Sequence, residues 1–542
     1  MKLLSFLLVS FIGYHLPMID GQINPYSLPG NYFPFNYSNT HGNHMVLQSN
    51  VNASVWGFGA LFAPITISLL GGPQNITANV SAYVSSTGIW RVTLPPQMPS
   101  IVPYTIIGES STTNESFIIE DILFGDVVIC GGQSNMAYGM GGILNSTAEL
   151  AQAANRPYMR IFSSQYSAQN FSQLQVVNEY AINWTLATPD SLPGFSAVCY
   201  LTAANIYDAT NGTIPFGLID TSVGGTAIQL WFPPLHFNDC ASTISPFDVY
   251  KWPWSASCWY NGMTSPFTVG PTDMKFFLWD QGENNVGERP FYECAMPLVI
   301  RTWRQQFKNY LAPFFFVQLP SYMRQEGDWS LADFREGQLT AAMAEPNVGY
   351  IATIDVGDAY DGSIHNRDKS LVGSRLGNAV LSQVYNIPRP YLHPRYQSAT
   401  AVTSGSIITV TITVGPTPAL YGGLTYVQPT FDSNATWCPV ARGVNLTFCD
   451  WLMIQTNDAQ NTWWNATSIK IGSDGASIVL TVDTTPTQNL LAVATRNGYR
   501  DWPVTNIYNG ANLPLLTWTP KPIETSYIKQ GKLIISNVHE NN

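Results

Sequence analysis

The sequence predicts an α/β fold: a three-layer domain with a mostly parallel sheet, flanked by two β-sandwich-like domains. Short apolar runs at 126–130, 275–279 and 314–319 recur through the middle of the chain, each followed by a helix-like stretch. Strands without polar alternation belong to sheets covered on both faces. On either side of this region, alternating β-branched runs replace them. The 542 residues also exceed what one ordinary core supports, so several domains are expected.

In chain order, residues 1–21 read as a signal peptide: Met1-Lys2, an apolar run over 3–12, then a weaker stretch ending near Gly21-Gln22. Residues 22–118 hold runs such as 65–70 and 90–94, broken by Gly and Pro, and are expected to form an N-terminal β-sandwich-like domain. Residues 119–395 carry five buried-type strands, at 126–130, 214–220, 275–279, 314–319 and 349–355, and are expected to be the catalytic domain. Residues 396–542 return to Thr/Val alternation at 406–414 and 477–482, predicting a C-terminal β-rich domain.

A formal charge of −11 with no basic cluster argues against a nucleic-acid partner. Twelve Asn-x-Ser/Thr sequons, at Asn36, Asn52, Asn75, Asn79, Asn114, Asn145, Asn170, Asn183, Asn211, Asn434, Asn445 and Asn465, fit a glycoprotein. Together with the leader they predict a secreted or lysosomal protein, with no later stretch apolar and long enough to span a membrane. Of seven cysteines, Cys240 with Cys258 and Cys438 with Cys449 are plausible short-loop disulfides. Cys130 and Cys199, in apolar runs, read as small buried hydrophobes. No cysteine reads as catalytic.

Sites in parallel sheets form beyond the carboxyl ends of strands, and four such segments carry chemistry. The first, Gly131-Gly132-Gln133-Ser134-Asn135-Met136, offers a serine at a sharp strand-to-helix turn, as nucleophile or as a helix cap. It lacks the second glycine of the G-x-S-x-G elbow. The second, Thr221-Ser222-Val223-Gly224-Gly225-Thr226, could aim the Gly225 N–H at an oxyanion or simply turn the chain. The third, Trp279-Asp280-Gln281-Gly282-Glu283-Asn284-Asn285, brings side-chain amides able to donate to an oxyanion, or is simply an Asn/Gly turn. The fourth spans 355–369 and places His365 among several aspartates; an imidazole steadied by a carboxylate can take a proton from serine.

At these segments the sequence resembles the SGNH hydrolases, and among them the carbohydrate acetylesterases of the sialate O-acetylesterase family. His44-Met45-Val46-Leu47-Gln48, Trp56-Gly57-Phe58-Gly59, the run 125–130, Ser196-Ala197-Val198-Cys199 and Ser363-Ile364-His365-x-Arg367-Asp368-Lys369 share the resemblance, which covers roughly residues 41–380. It implies that Ser134 is the nucleophile and His365 the general base and acid. The N–H groups of Ser134 and Gly225 and the Gln281 amide would form the oxyanion hole, with Asn284 as the alternative donor. Glu283 would hold the loop.

Many SGNH enzymes carry an aspartate three residues before the histidine, where this chain has Gly362. Asp361 is the nearest substitute, with Asp358 behind it, so a Ser-His dyad and a triad through Asp361 both stay open. The implied activity is hydrolysis of O-acetyl esters on sugars, most of all sialic acids, without metal or cofactor. Acetylated xylan is the rival substrate, and a non-catalytic carbohydrate-binding glycoprotein the rival class. Arg367 and Arg375 could grip a substrate carboxylate or serve in ion pairs.

Overall fold

The computed structural model describes residues 34–177, 181–236, 239–240, 257–269, 273–322, 330–358, 363–427, 452–499, 503, 505–529 and 532–536. The predicted leader, Asp361 and the pair Cys438 and Cys449 lie outside them.

The catalytic region is built on strands in the order Ile182–Leu186, Met159–Ser163, Phe216–Asp220, Glu115–Gly132, Phe276–Asp280, Phe314–Gln318 and Val348–Ala352. Five neighbouring pairs run parallel, and Ile182–Leu186 is antiparallel to Met159–Ser163. Side chains alternate across a strand, and here they feed two separate cores. Val127, Ile129, Ile219, Phe277, Trp279, Phe314 and Phe316 enter one core, with the apolar face of helix Arg289–Gln306. Val128, Cys130, Leu218, Leu278, Phe315 and Val317 enter the other, with helices Ala197–Ala209 and Lys369–Val384. Every residue of Phe276–Asp280 and Phe314–Gln318 is buried, and each run is apolar up to its last residue, Asp280 or Gln318.

Strand Glu115–Gly132 belongs to two layers. Its first half pairs antiparallel with Ser100–Ser110 of the N-terminal region, which continues into Pro64–Gly71 and Ile76–Tyr83. Its second half enters the catalytic sheet. An expected boundary at 118 thus falls inside one continuous strand. Val46–Gln48 pairs with Leu123–Gly125, and the buried Gln48 amide is held by Asp126 Oδ1 (2.8 Å) and the Val127 N–H (2.9 Å). The C-terminal region forms a six-stranded sheet and a four-stranded sheet over one apolar core. It docks through His393, whose Nε2 accepts from Ala352 N (3.0 Å) while Nδ1 donates to the Pro514 carbonyl (3.2 Å).

The cysteine expectations need correction. Cys130 and Cys199 are bonded to each other, pinning the end of the strand that leads to Ser134 to helix Ala197–Ala209. Cys240 pairs with Cys294 rather than Cys258, which is a buried free thiol. Replacing both Cys130 and Cys199 by Ala is expected to cost about 4 kcal/mol on the loop-entropy argument, given their separation of 69 residues. Guanidinium unfolding of the double variant against the parent checks this.

Candidate active site

Three strand ends converge. Backbone geometry forces glycine at Gly132: it has φ +142°, and an added Cβ would lie 2.1 Å from the Asp280 carbonyl oxygen. The chain then turns into a single helical turn, Ser134–Ala137. Ser134 does not cap it; Gln133 occupies the cap position, without a side-chain cap hydrogen bond. A helix this short adds little dipole, so anion stabilisation here rests on individual N–H groups.

The Gly-Gly turn lies against the serine, since a Cβ on Gly224 would sit 3.5 Å from Ser134 Cβ. It is held there by Val223 N donating to the Gly132 carbonyl (3.1 Å) and Thr221 N to that of Cys130 (2.9 Å). Asp220, its carboxyl pushed up to about 6 by burial, accepts from Ser222 N (2.9 Å) and Ser222 Oγ (2.5 Å) and sets the start of the turn. Neither the N–H of Ser134 nor that of Gly225 has a partner among the described residues.

The third loop is knitted to the first through Gln133, whose Oε1 accepts from Gly282 N, Asn284 N and Gln281 Nε2, each at 3.3 Å. This corrects the expectation for Gln281. Its Nε2 also donates to Asn285 Oδ1 (2.8 Å) and the Thr226 carbonyl (3.1 Å), and its Oε1 accepts from Tyr292 (3.0 Å), so a fully buried amide is already spent on the scaffold. Asn284 is half-buried, and its side chain makes no hydrogen bond among the described residues.

His365 is tied to the serine's turn through the next residue, Asn135. Asn135 Nδ2 donates to Glu283 Oε1 and, at 3.0 Å, to the Ile364 carbonyl. The imidazole is half-buried, its ring centroid 6.1 Å from that of Tyr138, and its backbone N–H donates to Ser363 Oγ (3.1 Å). Burial, and then the nearby Lys369 ammonium, hold it below the usual imidazole value of 6.5. Asp358 is bound by Arg367 Nη2 (3.1 Å), and Arg375 makes two 2.7 Å hydrogen bonds to Asp355, so both arginines serve in ion pairs. No group of three or more His, Cys, Asp or Glu that could hold a metal occurs among the described residues.

Sequence reasoning missed Asn135, Asp280 and Lys369. Lys369 is 1% exposed, and its Nζ donates to Asn135 Oδ1 (2.6 Å) and Asn366 Oδ1 (3.0 Å). Burial raises the pKa of Asp280 and Glu283 and lowers that of Lys369, while each sign of charge moderates the other. The available signal was a lysine four residues after the histidine, at the start of a helix whose cap is Asp368.

A protein family described as carbohydrate esterase, sialic acid-specific acetylesterase, matches residues 124–383. Sialate O-acetylesterase of Mus musculus is 31% identical over 394 residues, covering 63% of this chain and 72% of the relative. The Homo sapiens enzyme is 31% identical over 370 residues, covering 63% and 69%. A carbohydrate acetylesterase from Xanthomonas citri shares the fold, with TM-score 0.70 and 24% identity over 89% of this chain and 98% of that one. This chain is a carboxylic ester hydrolase acting on carbohydrate O-acetyl groups, and it belongs to the sialic acid-specific acetylesterase family of carbohydrate esterases.

Proposed function

We propose that the chain removes O-acetyl groups from sialic acids by a serine acyl-enzyme mechanism. His365 takes the Ser134 hydroxyl proton, and Oγ attacks the acetyl carbonyl. The N–H groups of Ser134 and Gly225, with the Asn284 amide, receive the oxyanion. His365 then protonates the departing sugar hydroxyl, and water deacylates Ser134 by the reverse relay. Asp361 is the carboxylate assigned to steady the imidazole, because Asp358 is engaged by Arg367. The observation that carries this reading is the packing of the Gly224-Gly225 turn against Ser134, with the N–H groups of Ser134 and Gly225 unpaired among the described residues. Entry to the secretory route is part of the proposal. Of the twelve sequons, Asn434 and Asn445 lie outside the described residues and the other ten asparagines are all exposed, while two disulfides suit an oxidising compartment.

One observation favours a neutral substrate such as acetylated xylan: Arg367 and Arg375, the two arginines that follow His365, are both paired with aspartates. Acetate release from O-acetylated sialoglycoprotein, acetylated xylan and an aryl acetate separates the two. Sialoglycoprotein should show the highest kcat/KM; xylan leading would replace sialic acid by a neutral polymer.

The pH profile follows from His365. A general base must be neutral, and this imidazole is held below 6.5, so the acid limb of kcat/KM on aryl acetate should lie below pH 6.5. A limb at or above that value would contradict His365 as the base.

A further inference from the structure

Lys369 is buried beneath the site, and acyl transfer by Ser134 and His365 assigns it no task. A lysine is costly to bury, and an apolar residue of similar size often serves a core as well. Its contacts are specific. One hydrogen bond reaches Asn135, the residue after Ser134, and Asn135 in turn holds the carbonyl of Ile364, the residue before His365. The same amide reaches Glu283 on the third loop. Nucleophile and base are thus tied by one asparagine, and that asparagine is gripped by one ammonium. The groups facing Lys369 are Asp280, Glu283, His365 and the Tyr138 ring at 5.5 Å; those facing His365 are Lys369 and the same ring.

We infer that Lys369 is a positioning residue for the esterase reaction: through Asn135 it fixes the spacing of Ser134 and His365, and it sets a positive charge near the imidazole. This rests on the assignment of Ser134 and His365 made above. The two effects are separable, because Asn135 transmits the geometry without carrying the charge.

The test uses the full chain and an aryl acetate. Lys369→Met should lower kcat about 10–100-fold, the scale of a misplaced catalytic group. It should also move the acid limb of kcat/KM to higher pH, because the imidazolium no longer meets a neighbouring cation. Lys369→Arg should keep the limb in place. Asn135→Ala should lower kcat on the same scale with the limb unmoved. A folded Lys369→Met, judged by its melting temperature, with parental kcat or an unmoved limb overturns the inference. If Lys369→Met does not fold, parental kcat in Asn135→Ala or a displaced limb in Lys369→Arg overturns it. Ser134→Ala is run alongside: if it retains activity, the underlying assignment fails, and that result is distinct from any Lys369 outcome.

Discussion

Ser134→Ala is expected to lower kcat for acetyl ester hydrolysis by about 10⁴–10⁶-fold, with KM little changed. The hydroxyl is the bond-forming group of the proposed mechanism, so its loss leaves only what the oxyanion donors and substrate binding achieve with water. The same substitution should leave the melting temperature nearly unchanged. Ser134 Oγ makes no hydrogen bond among the described residues and does not cap the turn, so its removal orphans no buried group. Acetate release and a thermal melt on one preparation check both halves. A fall of less than about 100-fold would move the nucleophile elsewhere.

Gly132→Ala should be as damaging to activity, by a different route. The new methyl would meet the Asp280 carbonyl at 2.1 Å, and a φ of +142° strains any residue with a Cβ. Strands Glu115–Gly132 and Phe276–Asp280 would have to separate at their carboxyl ends. Backbone strain and overpacking together predict a loss of about 3 kcal/mol or more, read in urea unfolding. Surviving folded protein should also lose activity, because the Asp280 carbonyl accepts the Gln133 N–H at 2.9 Å and thereby sets where Ser134 begins. Parental stability would mean that the turn does not need glycine.

What the sequence makes legible follows from how local each signal is. The runs at 126–130, 275–279 and 314–319 stand out because both faces of each strand are buried. Met159–Ser163 is buried too, yet it goes unpredicted because Arg160 interrupts it. The fold gives that arginine Asp121 (3.2 Å), a partner 39 residues away that a short window does not connect, beside the local Pro157 carbonyl (2.6 Å). Ile182–Leu186 hides for the opposite reason: it is a short edge strand, half exposed. Within the site, Ser134, Gly225 and His365 are marked by unusual residues in unusual places. The division of labour between Gln281 and Asn284 is not, since it depends on acceptors supplied by Thr226 and Gln133. Cys130 finds Cys199 across 69 residues of chain, and apolar surroundings look alike for a thiol and for half a disulfide. Lys369 is not singled out by the sequence because its partners come from two distant segments, Asn135 after the first strand and Asp280 and Glu283 at the third.

The strand shared by the two regions restricts how this esterase can be trimmed or recombined. A hydrolase cassette begun at 119 would keep the catalytic sheet while stripping the ladder partners from residues 119–124. An exposed strand edge is a template for aggregation. The same cut would remove Gln48, leaving Asp126 and Val127 without their buried amide. The N-terminal region is therefore inherited with the esterase as one unit, and a library of chimaeras should tolerate crossovers on the C-terminal side of the catalytic sheet far better than crossovers between 110 and 125.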